Sequence, residues 1–309
     1  MGFVMGNWNM RKIILAVSAL AISTMSASAA DLAAKARPLP PPPVPVWSWT
    51  GFYIGGHLGA GWSRNEFSSV GNDIAVVLPP GTALGSHNGL GPLGGFQVGY
   101  NWQIPNGPLL IGVEGDFSFA DLKGDHPNSF NFALANNFAC GVENQHLCSS
   151  FASFNAQERF FSKVKDTATI TARIGVTSGP QDRTLWYVKG GAAWAKTNYS
   201  DSASISGVVC VNGPLDSACT AENRSGVASG DSSRWGWTVG TGVEWALWDN
   251  WSTKIEYNFL NFDSHDVTLR GHNEFGDLSR TVRVEQQIHQ LKIGLNYRFN
   301  WGAPLVARY

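Results

Sequence analysis

Beginning at Thr50, apolar and polar residues alternate along the chain with a period of two, the mark of a strand whose two faces meet different surroundings. In the first such stretch Phe52, Ile54, Leu58 and Trp62 share one face, while Tyr53, Gly55, His57, Gly59, Gly61 and Ser63 share the other. The pattern returns seven more times, over residues 96–104, 109–119, 168–176, 186–194, 235–245, 251–259 and 291–299. No Lys, Arg, Asp or Glu stands on any of the eight apolar faces. The opposite faces carry nine: Glu114, Asp116, Arg173, Lys189, Glu244, Lys254, Glu256, Lys292 and Arg298. A Lys or Arg turned to lipid at mid-membrane costs about 2–4 kcal/mol, whereas a soluble sandwich turns its charge to water. The alternation therefore predicts strands with an apolar outer face and a polar inner one: an all-β, eight-stranded antiparallel up-and-down transmembrane barrel.

The connections repeat this arrangement. Residues 105–108, 178–183 and 246–250 are short turns, and between them lie long polar stretches, 64–93, 121–165, 198–233 and 261–283, expected as external loops. With both ends of the chain on the periplasmic side, Trp102, Trp186, Trp245, Trp248 and Trp251 fall at the inner edge of the bilayer. Trp62, Trp194 and Trp235 fall at the outer edge, so the 13 tryptophans supply two girdles.

Ahead of the strands, Arg11 and Lys12 precede a short apolar run and Ala27-Ser28-Ala29, the layout of a secretory signal over residues 1–29. Residues 30–48, with Pro38, Pro40 to Pro43 and Pro45, read as an extended periplasmic spacer, because proline has no N–H to give to a sheet. The barrel domain is then residues 49–309. Without the signal the chain has 20 basic and 23 acidic residues, a formal charge of −3, which argues against a nucleic-acid partner. Export also places the four cysteines where disulfides persist. Three pairings are open to them, and local closure, Cys140 with Cys148 and Cys210 with Cys219, is the simplest.

The last strand holds Lys292, Gly294, Tyr297 and Phe299 in the alternation of an outer-membrane assembly signal, although residues 300–309 follow the aromatic that usually ends such chains. The segments WTGFYIGG from Trp49, GFQVGYNW from Gly95, YVKGGAAW from Tyr187 and GLNYRF from Gly294 resemble the alphaproteobacterial outer-membrane immunogenic proteins. These are small barrels often labelled porin-like and related in architecture to the transmembrane part of OmpA-type proteins. The resemblance covers the strands between Trp49 and Phe299 and leaves out the long loops. It implies an abundant, surface-exposed protein of the cell outer membrane. Its partners would be outer-membrane lipid, lipopolysaccharide and, during biogenesis, the barrel assembly machinery; a homo-oligomer stays open.

An eight-stranded barrel is just wide enough for its own side chains. Five inward cations and four inward anions in so narrow a space must pair, because an isolated buried ion costs several kcal/mol. The expected result is an internal ion-pair network that fills the lumen. The competing reading is a thin ion pathway; an open porin would need about 16 strands. No catalytic, metal or cofactor site is expected, for no phosphate cradle or metal-ligand spacing appears. Ser264-His265-Asp266 has the residue types of a nucleophile relay, but three adjacent residues do not readily meet across space. The leading reading is thus a structural, porin-like surface protein of the envelope. The alternative is a loop-borne ligand or haem receptor, since His87, His126, His146, His265 and His272 share the long stretches with Phe130, Phe132, Phe138, Phe151 and Phe154. Some relatives in the resembling family are described as haem binders.

Overall fold

A computed structural model describes residues 47–70, 80–140, 146–212, 217–273 and 276–299. The expected signal and all of the proline spacer before Trp47 lie outside the described residues. The strands are β1 (Gly51–Ser69), β2 (Ala83–Gln103), β3 (Leu109–Cys140), β4 (His146–Ser178), β5 (Thr184–Asn212), β6 (Ser217–Ala246), β7 (Trp251–Asn273) and β8 (Gly276–Phe299). Each pairs antiparallel with the next, and β8 closes on β1 from Phe52↔Phe299 to Ser69↔Val282. Three short turns join β2 to β3, β4 to β5 and β6 to β7. Their sharp reversals use left-handed residues, Asn106 (φ 61°), Gln181 (φ 59°), Asp182 (φ 55°) and Asp249 (φ 42°).

The outer wall is apolar as the alternation requires. Leu58, Leu90, Phe96, Phe119, Ile170 and Ile293 are among many large hydrophobic side chains left exposed on it, as a lipid-facing surface demands. Closure gives every strand two hydrogen-bonded neighbours, which removes the sheet edges that lipid cannot tolerate.

The strands run far beyond a membrane. β4 has 33 residues, about three times the 9–11 that a tilted strand needs to cross. The stretches expected as long external loops are instead mostly strand. β1 and β2 reach Ser69 and Ala83, while β3 and β4 pair as far as Cys140↔His146. The physical reason is an inversion of polarity. Above the outer tryptophans Phe67, Leu122, Phe160, Val164, Tyr199, Phe262, Val267 and Ile288 point inward and are buried. Arg64, Glu66, Lys123 and Asp125 face outward. Lipid no longer surrounds this part, so the sheet obeys the ordinary rule of apolar core and polar surface. Bulges mark the change on β4, between Val164 and Asp166, and on β7, between Phe262 and His265. An extra residue there shifts the faces and interrupts the strict period of two.

Three apolar levels cross the interior. The first, at the short-turn end, joins Trp49, Leu110, Leu185 and Tyr187, with Trp47 packed against it. The second holds Leu122, Val164, Ala193, Ala195, Leu260, Phe262 and Ile288. The third, beyond the outer wall's apolar belt, holds Phe67, Phe160, Tyr199, Ala228, Val267, Leu269, Val282 and Val284. At the far tip Cys210 and Cys219 stand opposite one another on β5 and β6 and form a disulfide, with Cα atoms 4.0 Å apart. The side chains of Cys140 and Cys148 lie outside the described residues.

Trp47, grouped by sequence with the spacer, and Trp49 close the short-turn mouth. Their rings meet edge to face at 5.5 Å. The indole N–H of Trp49 donates to the Asp182 carbonyl at 2.8 Å, and its backbone N–H donates to Gln103 Oε1 at 3.0 Å. Trp49 is only 1% exposed, so Trp49→Ala is expected to cost about 3–5 kcal/mol. Urea unfolding of the refolded barrel in micelles measures this, and an unchanged midpoint would show that the mouth packing is idle.

Candidate functional site: the barrel lumen

Between the first two apolar levels the inward faces of six strands bring eight ionised side chains together. Lys189 lies at the centre: its Nζ is 2.8 Å from Glu114 Oε1, 2.7 Å from Glu256 Oε1 and 3.6 Å from Asp116 Oδ2. Lys254 bridges the same two glutamates at 3.1 and 3.0 Å. Arg173 reaches Glu114 at 3.6 Å and Glu244 at 3.5 Å. Lys292 donates to Asp116 Oδ1 at 2.8 Å. Four cations therefore face four anions, Glu114, Asp116, Glu244 and Glu256, and every one of these side chains is almost wholly buried.

Arg298, the ninth charged residue on the inner faces, stands apart. Its guanidinium lies 4.1 Å from the Trp47 ring, at the mouth. Its removal from the count turns an apparent excess of one cation into balance.

Neutral groups complete the network, and sequence reasoning assigned them no role. The Tyr53 hydroxyl donates to Glu114 at 2.8 Å and that of Tyr187 to Glu256 at 2.7 Å. The two phenol rings hold the Arg173 guanidinium between them, 4.9 Å from each centroid. Thr169 donates to Asp116 at 2.5 Å, Asn258 to Glu256 at 2.8 Å, and Ser252 and Asn296 to Glu244 at 2.5 and 2.8 Å. Each carboxylate thus receives neutral donors as well as cations, which is what makes a buried charge tolerable. The tyrosines fit because Gly99 and Gly242 lie across from them. A Cβ at Gly99 would come within 2.2 Å of the Tyr53 hydroxyl oxygen, and one at Gly242 within 2.5 Å of that of Tyr187. The signal for these roles was present in the alternation, since both tyrosines share the inner face with the charges. Their partners become visible only when the strands are brought into register.

Next along the lumen His57, which shares its strand face with Gly55 and Gly59, bridges Gln97 Oε1 at 2.6 Å and Ser118 Oγ at 2.8 Å. Glu114, Asp116 and Glu256 lie close enough together to suit a metal ion, but the ammonium groups of Lys189, Lys254 and Lys292 already occupy the space such an ion would take. Asp266 of the Ser264-His265-Asp266 run is on the outer surface and is bound by Arg283 at 2.7 Å. That guanidinium holds its carboxyl below the usual range. The long-stretch histidines do not share one face. His87 is buried inside, 2.6 Å from Ser162 Oγ, whereas His265 and His272 are exposed and His272 contacts Asp277 at 3.0 Å. The side chain of His146 lies outside the described residues. The assembly-signal residues Lys292, Gly294, Tyr297 and Phe299 sit on β8, the strand that closes the ring.

A closed eight-stranded barrel with a lipid-facing wall, two tryptophan girdles and a filled, ion-paired interior is a small integral barrel of the outer-membrane type. The chain belongs to the outer membrane protein beta-barrel domain family, whose model matches residues 17–299. It is 29% identical to the 31 kDa outer-membrane immunogenic protein of Brucella melitensis, over 94% of this chain and all of that one. It is 22% identical to the 25 kDa outer-membrane immunogenic protein of Brucella canis, over 82% and 80% of the two chains. Among solved structures it is similar to the attachment invasion locus protein Ail of Yersinia pestis. The TM-score is 0.31, the identity 12%, and 81% of this chain and 99% of that one are covered. The protein is located in the outer membrane.

Breaking one buried pair leaves its partner stranded, at about 3–5 kcal/mol. Lys292→Met is expected to destabilise the folded barrel by that amount, and adding Asp116→Leu to recover a large part of it; additive losses in a double-mutant unfolding cycle would show that the two residues are not coupled. Outside the membrane, burial and then the neighbouring His126 imidazole lower the His87 pKa from 6.5 to about 4. The unfolded chain therefore binds the proton first, so stability at the far end is full above pH 6.5 and lost as pH falls toward 4. The imidazole titration followed by NMR should have its midpoint near 4, and a midpoint at 6.5 would place His87 in open water.

Proposed function

We propose that this protein is a structural, surface-exposed element of the outer membrane that supports envelope integrity and passes ions weakly at most. The observation that carries the reading is the sealed lumen: the Trp49 level, the eight-charge network and the Leu122–Phe262 level follow one another along the axis. An ion would have to displace charged groups that are already paired with one another, in a space with little room for water. The strand extensions carry the surface role, because a paired sheet with its own core holds the outer tip well clear of the bilayer. The likeness to proteins described as outer-membrane immunogenic proteins supports display at the surface. We assign no catalytic role, since His57 and Ser118 are enclosed in the lumen and Asp266 is engaged by Arg283.

Single-channel recording in a planar bilayer tests this reading. The refolded chain, first shown to be folded by its altered gel mobility before boiling, is expected to give no current or rare small steps. Removing both the mouth and the central cation, with Trp49→Ala and Lys189→Ala, is expected to raise the frequency of openings. Large, steady openings of the unaltered protein would overturn the sealed-lumen reading.

A further inference from the structure

Arg298 poses an electrostatic problem that the lumen network does not solve. It faces inward on β8, opposite Tyr53, and is only 5% exposed. A guanidinium stays charged in any protein setting, and a buried charge without a counter-ion is among the costliest groups a fold can hold. Deeper in the lumen four cations already balance four anions. Glu244 attracts Arg298 from a distance, but it is taken. Ser252 and Asn296 donate to one of its oxygens, and Arg173 lies 3.5 Å from the other. Stacking on Trp47, 4.1 Å from the ring centroid, offsets only part of the cost.

The same corner gathers further donors that have nothing to donate to. Arg298 Nε and Nη1, the Trp47 indole N–H and Arg183 Nε are all buried and find no acceptor among the described residues. The neighbouring indole, that of Trp49, is satisfied by the Asp182 carbonyl. Arg183 stands 5.7 Å from the same Trp47 ring and spends its Nη2 on the Leu247 carbonyl at 2.8 Å. Asp182 and Asp249, on the turns at this end, are exposed, and among the described residues neither pairs with either arginine. Two cations and one indole thus surround a point where every unmet group is a donor. The corner opens on the short-turn side, for Trp47 and Arg183 are half-buried while the Trp49 level shuts the lumen behind them. Because Arg298 points into the ring, its own strand separates it from the lipid outside.

We propose that this mouth is a phosphate site, in which Arg298, Arg183 and the Trp47 indole N–H take one soluble phosphate group from the periplasm. A carboxylate would bring one charge and two oxygens. A phosphomonoester near pH 7 brings a charge of about −1.5 to −2 and three strong acceptor oxygens, which suits two guanidinium groups and an N–H converging from separate segments. Bound phosphate pins Trp47 where the chain enters the barrel, so occupancy of the site firms the closure of the mouth. The site requires the outer-membrane placement with the short turns in the periplasm, and it is independent of whether the lumen conducts.

The test measures binding of glycerol 3-phosphate and of inorganic phosphate to the full chain folded in neutral detergent, by titration calorimetry and native mass spectrometry. One phosphate per barrel is expected. Arg298→Gln should weaken it at least about tenfold and Arg298→Lys should keep much of it, while Trp47→Phe, which retains a ring and loses the N–H, should cost about three- to tenfold. Phosphate should also raise the urea midpoint of the unaltered barrel and leave that of Arg298→Gln unmoved. Should Arg298→Gln fail to show the mobility of a folded barrel, Arg183→Gln alters only a half-buried charge at the mouth and is expected to weaken binding several-fold. No binding at about 10 mM phosphate, or no loss in the arginine variants, would overturn the proposal. So would acetate binding as tightly as phosphate, which would make the mouth a general anion site. Short-chain phosphatidylglycerol binding more tightly than glycerol 3-phosphate would overturn it as well, by assigning the arginines to a lipid headgroup.

Discussion

Every backbone N–H and C=O that enters a hydrocarbon layer must find its partner within the protein, and the rest of this structure depends on that requirement. Strands meet it only as a closed ring, and with eight of them the ring is too narrow for bulk water. Closure therefore sets the rules for both faces. Outward positions must be apolar, because nothing solvates a charge there. Inward positions must form a packed core, because nothing else fills the space. The pairing of Phe52 with Phe299 and of Ser69 with Val282 is thus the condition for the interior as well as for the wall.

Filling the interior with charge rather than hydrocarbon is a costly choice, since desolvating a buried ion pair often exceeds its attraction. The network of Arg173, Lys189, Lys254 and Lys292 with four carboxylates limits that cost by coordination. Lys189 touches three carboxylates, and each carboxylate also accepts from a hydroxyl or amide. What such a network gives is register. A strand that slipped by one residue would turn its charges to lipid and its isoleucines into the lumen, so the alignment of the strands is fixed many times over. Apolar levels above and below the network exclude water and strengthen its interactions further.

Above the bilayer the same strands serve a different solvent. Val164, Leu260, Phe262 and Ile288 fill the ring with hydrocarbon just where the wall becomes polar, and a second aromatic level around Phe67, Phe160 and Tyr199 continues it. Rigid strands in place of loops let the tip, closed by the Cys210–Cys219 disulfide, stand at a distance from the membrane. The bulges on β4 and β7 let one chain satisfy both solvents while β4–β5 and β7–β8 stay paired on either side of the change.

Strand number, the sense of each face and the identity of the inward charges were legible in the sequence, because a period of two and the cost of a lipid-facing charge are local rules. The rule applied was apolar-out, and it stopped where the solvent changed: residues such as Phe67, Phe160 and Val284 obey its reverse and so read as loop. Partner choice was not legible either. That Arg298 joins Trp47 while Lys292 joins Asp116, or that Tyr53 serves Glu114 from 61 residues away, follows from strand register and ring closure. Those couple positions far apart in the chain, and no local pattern encodes them. The sequence by itself determined a membrane barrel with a charged lumen. Only the tertiary structure decided that four cations meet four anions, that Trp47 and Trp49 shut the mouth, and that the barrel continues as a cored sheet beyond the bilayer.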